Sequence, residues 1–92
     1  MLKMSIYWDD VRSMCIKHQF YCSGDNYAYS NLASYIDNID SDTMTEYDIE
    51  FIRNDIAMHS NWVLLGYQCK EELYNHIEWL LLNECIKYTM RG

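Results

Sequence analysis

Apolar residues recur along this chain at helical spacing in four separate stretches. The clearest is Cys69 to Tyr88, where Leu73, Ile77, Leu80, Leu81 and Cys85 fall at offsets 0, 4, 7, 8 and 12 and make a wide stripe. Lys70, Glu71 and Glu72 open that stretch without a β-branched residue, and Lys87 and Arg91 suit a helix C-terminus. Trp79 and Leu82 lie off the stripe, which implies a helix buried all round or a second contact surface. Ile49, Ile52 and Ile56 mark the underside of another helix from about Glu46 to Met58, with His59, Ser60 and Asn61 as its exit. Tyr29, Leu32, Ala33 and Ile36 predict a helix from about Tyr27 to Ile39. Met4, Trp8, Val11 and Cys15, widened by Tyr7 and Met14, predict one over residues 5 to 20 with Ser5 as its cap.

Two stretches break the pattern. Cys22 to Asn26 is a turn, with Gly24 free to take positive φ. Trp62 to Tyr67, WVLLGY, suits a short buried strand or an apolar loop. A lone strand has nothing to pair with except its copy in a second subunit, so an extended or short turn segment is expected there. The expectation is a mainly α fold: one small domain over residues 1–92, of about four helices, with one short extended segment near Trp62–Tyr67.

Composition narrows the function. Half of the 92 residues are hydrophobic, enough for one core. The longest apolar runs, Trp62 to Leu65 and Trp79 to Leu82, fall far short of the ~18 residues of a membrane span. The N-terminus, MLKMSIYWDD, lacks the apolar region of a secretion signal, so a cytoplasmic protein is expected. Four cysteines with no CxxC pair read as buried thiols without disulfides. The net charge of −7 argues against direct binding of nucleic acid and permits binding to a basic groove.

The charge is concentrated. Residues 37–55, DNIDSDTMTEYDIEFIRND, hold Asp37, Asp40, Asp42, Glu46, Asp48, Glu50 and Asp55, half of all the acids, answered only by Arg53. Part of this clustering is local helix chemistry. Thr43 or Thr45 can cap a helix, with Glu46 or Asp48 three places on reaching back to the cap. Acids in a first turn also suit the helix dipole. Asp48, Glu50 and Asp55 fall away from the isoleucine stripe, which implies a ridge of acids on solvent. Such a ridge is either an ordinary solvated face or an imitation of a polyanion.

Other chemistry finds little support. Cys15, His18 and Cys22 share one helical spacing, and Cys69 or His76 would have to complete a zinc set, but Cys22 falls in the turn and only the Cys15–His18 pair has ligand spacing. No metal and no cofactor are expected. His59 and Ser60 are adjacent and do not face each other on a helix. There is no GxSxG, P-loop or dinucleotide fingerprint. Asp37, Asp40 and Asp42 lack the Gly and Glu of a calcium loop. No catalytic residue is assigned. Nine tyrosines are many for a small core, and Tyr21, Tyr27 and Tyr29 around the turn would suit a protein–protein contact or simply cover one end of the bundle.

A 92-residue, acidic, proline-free chain rich in Asp, Asn, Ile and Tyr, with stretches such as MTEYDIEFIRNDIAMHS, resembles the anti-restriction nuclease (Arn) family of T-even phages. That resemblance implies a DNA mimic that inhibits a host nuclease of the McrBC type, which cleaves DNA carrying modified cytosine. The partner would be that host DNA-binding protein, with no direct nucleic-acid contact and no membrane. A domain roughly 30 Å across corresponds to a length of duplex with ~18 charges, more than this chain carries. Pairing as a homodimer would lengthen the copy. The alternatives are an acidic, Tyr-rich adaptor for a host transcription or nucleoid protein, and a small zinc-stabilised module.

Overall fold

A computed structural model gives the fold and describes residues 2–21, 27–39 and 43–90. The element order is β1 (Leu2–Ser5), α1 (Trp8–Lys17), α2 (Tyr27–Asn38), α3 (Glu46–His59), α4 (Lys70–Leu80), a π-helical turn (Leu81–Cys85) and β2 (Lys87–Met90). The fold is mainly helical, and the four predicted helices are all present. Most of the residues that the apolar spacing picks out line their inner faces; the exceptions are Tyr7, which is exposed, and Met4, which lies in β1, while the side chain of Tyr29 lies outside the described residues. Leu73, Ile77, Leu80, Leu81 and Cys85 are buried, as are Ile49, Ile52 and Ile56 of α3, Leu32 and Ile36 of α2, and Val11, Met14 and Cys15 of α1. Among the described residues no polar or charged residue is fully buried.

Both ends of the chain depart from the helical expectation. Leu2–Ser5 is a strand, so Ser5 does not cap α1; Tyr7 stands at the cap position with extended backbone and no side-chain bond. Helix α4 ends at Leu80, well short of Tyr88. There the backbone widens into the π-helical turn, and the Ile86 N–H donates to the Leu81 carbonyl at 2.7 Å. Ile86 is extended and leads into β2. β1 and β2 pair antiparallel, with Leu2 opposite Met90, Lys3 opposite Thr89, Met4 opposite Tyr88 and Ser5 opposite Lys87. A two-stranded ribbon is marginal by itself. Here buried Ile6 and Ile86, one residue beyond each strand, anchor it to the core.

Two of the connections close by the same device. At the end of α1, Gln19 has φ 62°, the Phe20 N–H donates to the Cys15 carbonyl at 2.9 Å, and the Gln19 N–H donates to the Ile16 carbonyl at 3.3 Å. This is a Schellman closure with Gln19 where glycine is preferred. The Trp62–Tyr67 segment is a turn, and the extended alternative does not occur. Asn61 Oδ1 accepts the N–H groups of Val63 and Leu64 at 3.0 and 3.2 Å. Gly66, at φ 88°, then closes the turn, with the Tyr67 N–H on the Trp62 carbonyl at 3.0 Å. The segment is a single helical turn with its own cap at each end.

Candidate functional site: the acidic face of the third helix

Glu46 and Glu50 lie one turn apart on α3 and are both exposed. That places them on one face, about 6 Å apart along the axis. Arg53 follows on the same side, but its guanidinium is turned against α4. It stands 3.2 Å from Glu78 Oε2 and 3.7 Å from Glu50 Oε1, and 5.8 Å from the centre of the Tyr74 ring. Its side chain is only 18% exposed. Arg53 is the only lysine or arginine between Lys17 and Lys70, a span containing eight acids. Arg53 is thus committed to Glu78 and Glu50. Among the described residues, Glu46 has no ion-pair partner.

Of the seven predicted acids, the five described do not all lie on one solvent-facing ridge. Asp48 faces α2 and the start of its own helix. Its Oδ1 accepts the Tyr35 hydroxyl at 2.6 Å, and its Oδ2 accepts the Thr45 N–H at 2.8 Å, the acid arm of a capping box. Burial acts to raise the Asp48 carboxyl, but the bonds from Tyr35 and Thr45 outweigh it and hold the group below the ordinary carboxylate range. Asp55 is half-buried, and burial raises its carboxyl against the attraction of His59. Asp48 and Asp55 are therefore corrections to the solvent-facing ridge. They sit at the flanks of α3, because three isoleucines fill its centre and leave neighbouring positions part-covered. Asp37 is exposed on α2, beside a cavity of about 200 Å³ next to Ile6 and Tyr7. Asp40 and Asp42 lie outside the described residues.

The structure adds a groove that the sequence did not indicate. Glu46, Glu50 and Arg53 form one side, and Glu78 and Leu82 the other. Met4 and Tyr88, cross-strand neighbours in the ribbon, close the end, and the volume is about 790 Å³. Two signals were present in the chain: Leu82 lies off the Leu73–Cys85 apolar stripe, and Glu78 lies one turn before it. Their meeting with α3 depends on packing between elements distant in sequence.

A second polar cluster occupies the other side of α4. His18 Nε2 is 3.1 Å from Glu84 Oε1, and Lys17 Nζ is 3.5 Å from the same oxygen. Burial pushes the Glu84 carboxyl up, but His18 and Lys17 outweigh it and leave the group below its usual range. Tyr67 and His76 hydrogen-bond through the hydroxyl and Nδ1, and the His18 and His76 ring centres are 6.0 Å apart. Of the zinc candidates, Cys15 is buried in the core, Cys69 is exposed at the start of α4, and Cys22 lies outside the described residues. Among the described residues no three metal-ligating side chains converge. Tyr21 is exposed, whereas the side chains of Tyr27 and Tyr29 lie outside the described set. No described helix is long and apolar enough to cross a membrane. Comparison with protein families, curated proteins and solved structures finds no match to this chain.

Proposed function

We propose that this protein is an anti-restriction inhibitor of the phage type, a DNA mimic that occupies the DNA-binding site of a host modified-cytosine restriction nuclease such as McrBC. It acts in the host cytoplasm, as a homodimer, by occupying a site and without chemistry of its own. The observation that carries this reading is the acid-rich exposed face of α3, where Arg53 is shared between Glu50 and Glu78 and Glu46 has no ion-pair partner among the described residues. Glu46 and Glu50 stand at a spacing comparable to successive phosphates, with Arg53, the one base of that helix, turned towards Glu78. Asp37 adds an exposed acid on the neighbouring helix.

Magnitudes bear on the stoichiometry. The molecule is 45 Å along its longest axis. Duplex DNA carries one charge per ~1.7 Å, or ~26 over that length. A net charge of −7 is a sparse copy of that, and a second protomer in line with the first brings the copy closer. Exposed Leu64, Val63 and Trp79 supply apolar surface for such a contact.

Competition is the test. The protein is titrated into a complex of the nuclease's DNA-binding domain and a labelled duplex carrying modified cytosine. Displacement of the duplex, with weaker inhibition at higher salt, is expected. Inhibition by the triple variant Asp37→Asn, Glu46→Gln, Glu50→Gln should be weaker by roughly fivefold to a hundredfold, as about 0.3–1 kcal/mol per exposed charge contact implies. A duplex that stays bound while the protein also binds rules out mimicry and leaves the adaptor reading.

A further inference from the structure

We propose that the groove between α3, α4 and the β1–β2 ribbon receives one arginine or lysine side chain of the partner, with its aliphatic stem along the apolar floor and its charged head at Glu46 and Glu50. The proposal deepens the reading above and rests on it for the basic character of the partner.

The groove has two kinds of surface. Met4, Ile49, Leu82 and Tyr88 supply apolar area, and its volume of about 790 Å³ lies within the range of small-ligand sites. Its carboxylates, Glu46, Glu50 and Glu78, face a single guanidinium, which leaves a formal local charge of −3 + 1 = −2. A neutral apolar ligand would leave those acids partly desolvated without a counter-charge, and a small inorganic cation would leave the apolar floor unused. A long side chain with a charged end satisfies both, because lysine and arginine bury their stems and keep their heads at polar edges. Arg53 already uses the same environment. Its guanidinium lies near the Tyr74 ring and bridges Glu50 to Glu78, while Glu46 remains without a cation among the described residues. A second guanidinium at Glu46 and Glu50 completes the alternation of charge.

The groove also separates this protein from the DNA it is proposed to imitate. A phosphate backbone offers charge without a stem-sized apolar slot. Recognition here therefore depends on the side chain's length as well as its charge.

The probe is Nα-acetyl-arginine amide, titrated into the isotope-labelled full chain at fixed ionic strength and followed by backbone amide shifts. Its neutral citrulline counterpart and guanidinium chloride serve as comparisons. Saturable shifts centred on Ile49, Glu50, Leu82 and Tyr88 are expected. Citrulline should give none, and guanidinium should bind at least fivefold more weakly. Leu82→Ser should weaken the arginine probe severalfold while leaving guanidinium unchanged; Tyr88→Ser, at an exposed strand position, gives the same reading if the first variant does not fold. Shifts spread evenly over Asp9, Glu71, Glu72 and the groove, or equal binding of arginine and guanidinium, overturn the proposal. A flat titration alongside intact displacement of duplex overturns the groove alone. Saturable groove binding with no displacement of duplex overturns the mimic reading alone.

Discussion

The Tyr35 hydroxyl donates to Asp48 Oδ1 at 2.6 Å and ties the middle of α2 to the first turn of α3. The same carboxylate caps α3 through the Thr45 N–H, so one side chain both starts a helix and fixes its neighbour. Stacking of Tyr35 on Phe51, with ring centres 4.2 Å apart, holds the phenol in place. Tyr35→Phe keeps the stack and removes the bond. It should cost about 1–2 kcal/mol in urea unfolding at neutral pH, the range for a bond to a charged group at a part-exposed site. A loss below a few tenths of a kcal/mol would show that the bond contributes little.

The same pair fixes the direction of pH dependence at both extremes. The Tyr35 phenol is pushed up to about 12, first by burial and then by the bond to Asp48 and its charge. A raised value means that the stabilising contribution is complete below the unfolded value of about 10 and is lost as pH rises towards 12. Asp48 and Glu84 are depressed, so their contribution is present above the ordinary carboxylate range and is lost as pH falls through the lowered values. Chemical unfolding at a series of pH values should therefore show stability falling in acid and above about pH 10. Asp48→Asn should flatten the acid limb and Tyr35→Phe the alkaline one.

Asp55 behaves in the opposite sense. Burial raises its carboxyl, so the ionised form is disfavoured by the fold at neutral pH. Asp55→Asn should stabilise the protein above the acid range, by up to about 1 kcal/mol. If this variant melts lower than the parent at neutral pH, the attraction between Asp55 and His59 outweighs the burial cost.

Gln19 holds a left-handed backbone at φ 62°. Glycine adopts that conformation without the steric penalty of a Cβ. Gln19→Gly should raise stability by about 0.5–1 kcal/mol, read as a higher denaturation midpoint at unchanged slope. An unchanged or lower midpoint would mean that the Gln19 side chain contributes contacts that offset its backbone strain.

The thiols should separate by burial. Cys85 lies in the core with its Sγ donating to the Asp10 carbonyl at 3.5 Å, and burial, reinforced by the charges of Asp10 and Glu84, pushes it up to about 12. Cys69 is exposed. Maleimide at neutral pH, followed by peptide mass mapping, should label Cys69 within minutes and leave Cys85 unmodified until denaturant is added. Rapid labelling of Cys85 in the native protein would place the π-helical turn in a locally open state.

The helices were legible in the chain because each carries its own apolar stripe, and a stripe needs no knowledge of what covers it. The isoleucines of α3 and the Leu73–Cys85 series of α4 are buried where the spacing places them. The capped turn at Asn61–Gly66 was legible in principle, since Asn before a short apolar run and Gly after it are local signals. The ribbon was not. Leu2–Ser5 has little strand propensity, and its partner lies at the other end of the chain. Such pairing is set by contacts between distant segments that no local window contains. The same reason divides the acids. Sequence placed seven of them in one stretch, and local helix chemistry explained some. Whether a given carboxylate faces solvent depends on what packs beside it. Tyr35 takes Asp48, burial covers Asp55, and α4 brings Glu78 to Arg53, leaving Glu46 and Glu50 on the open groove.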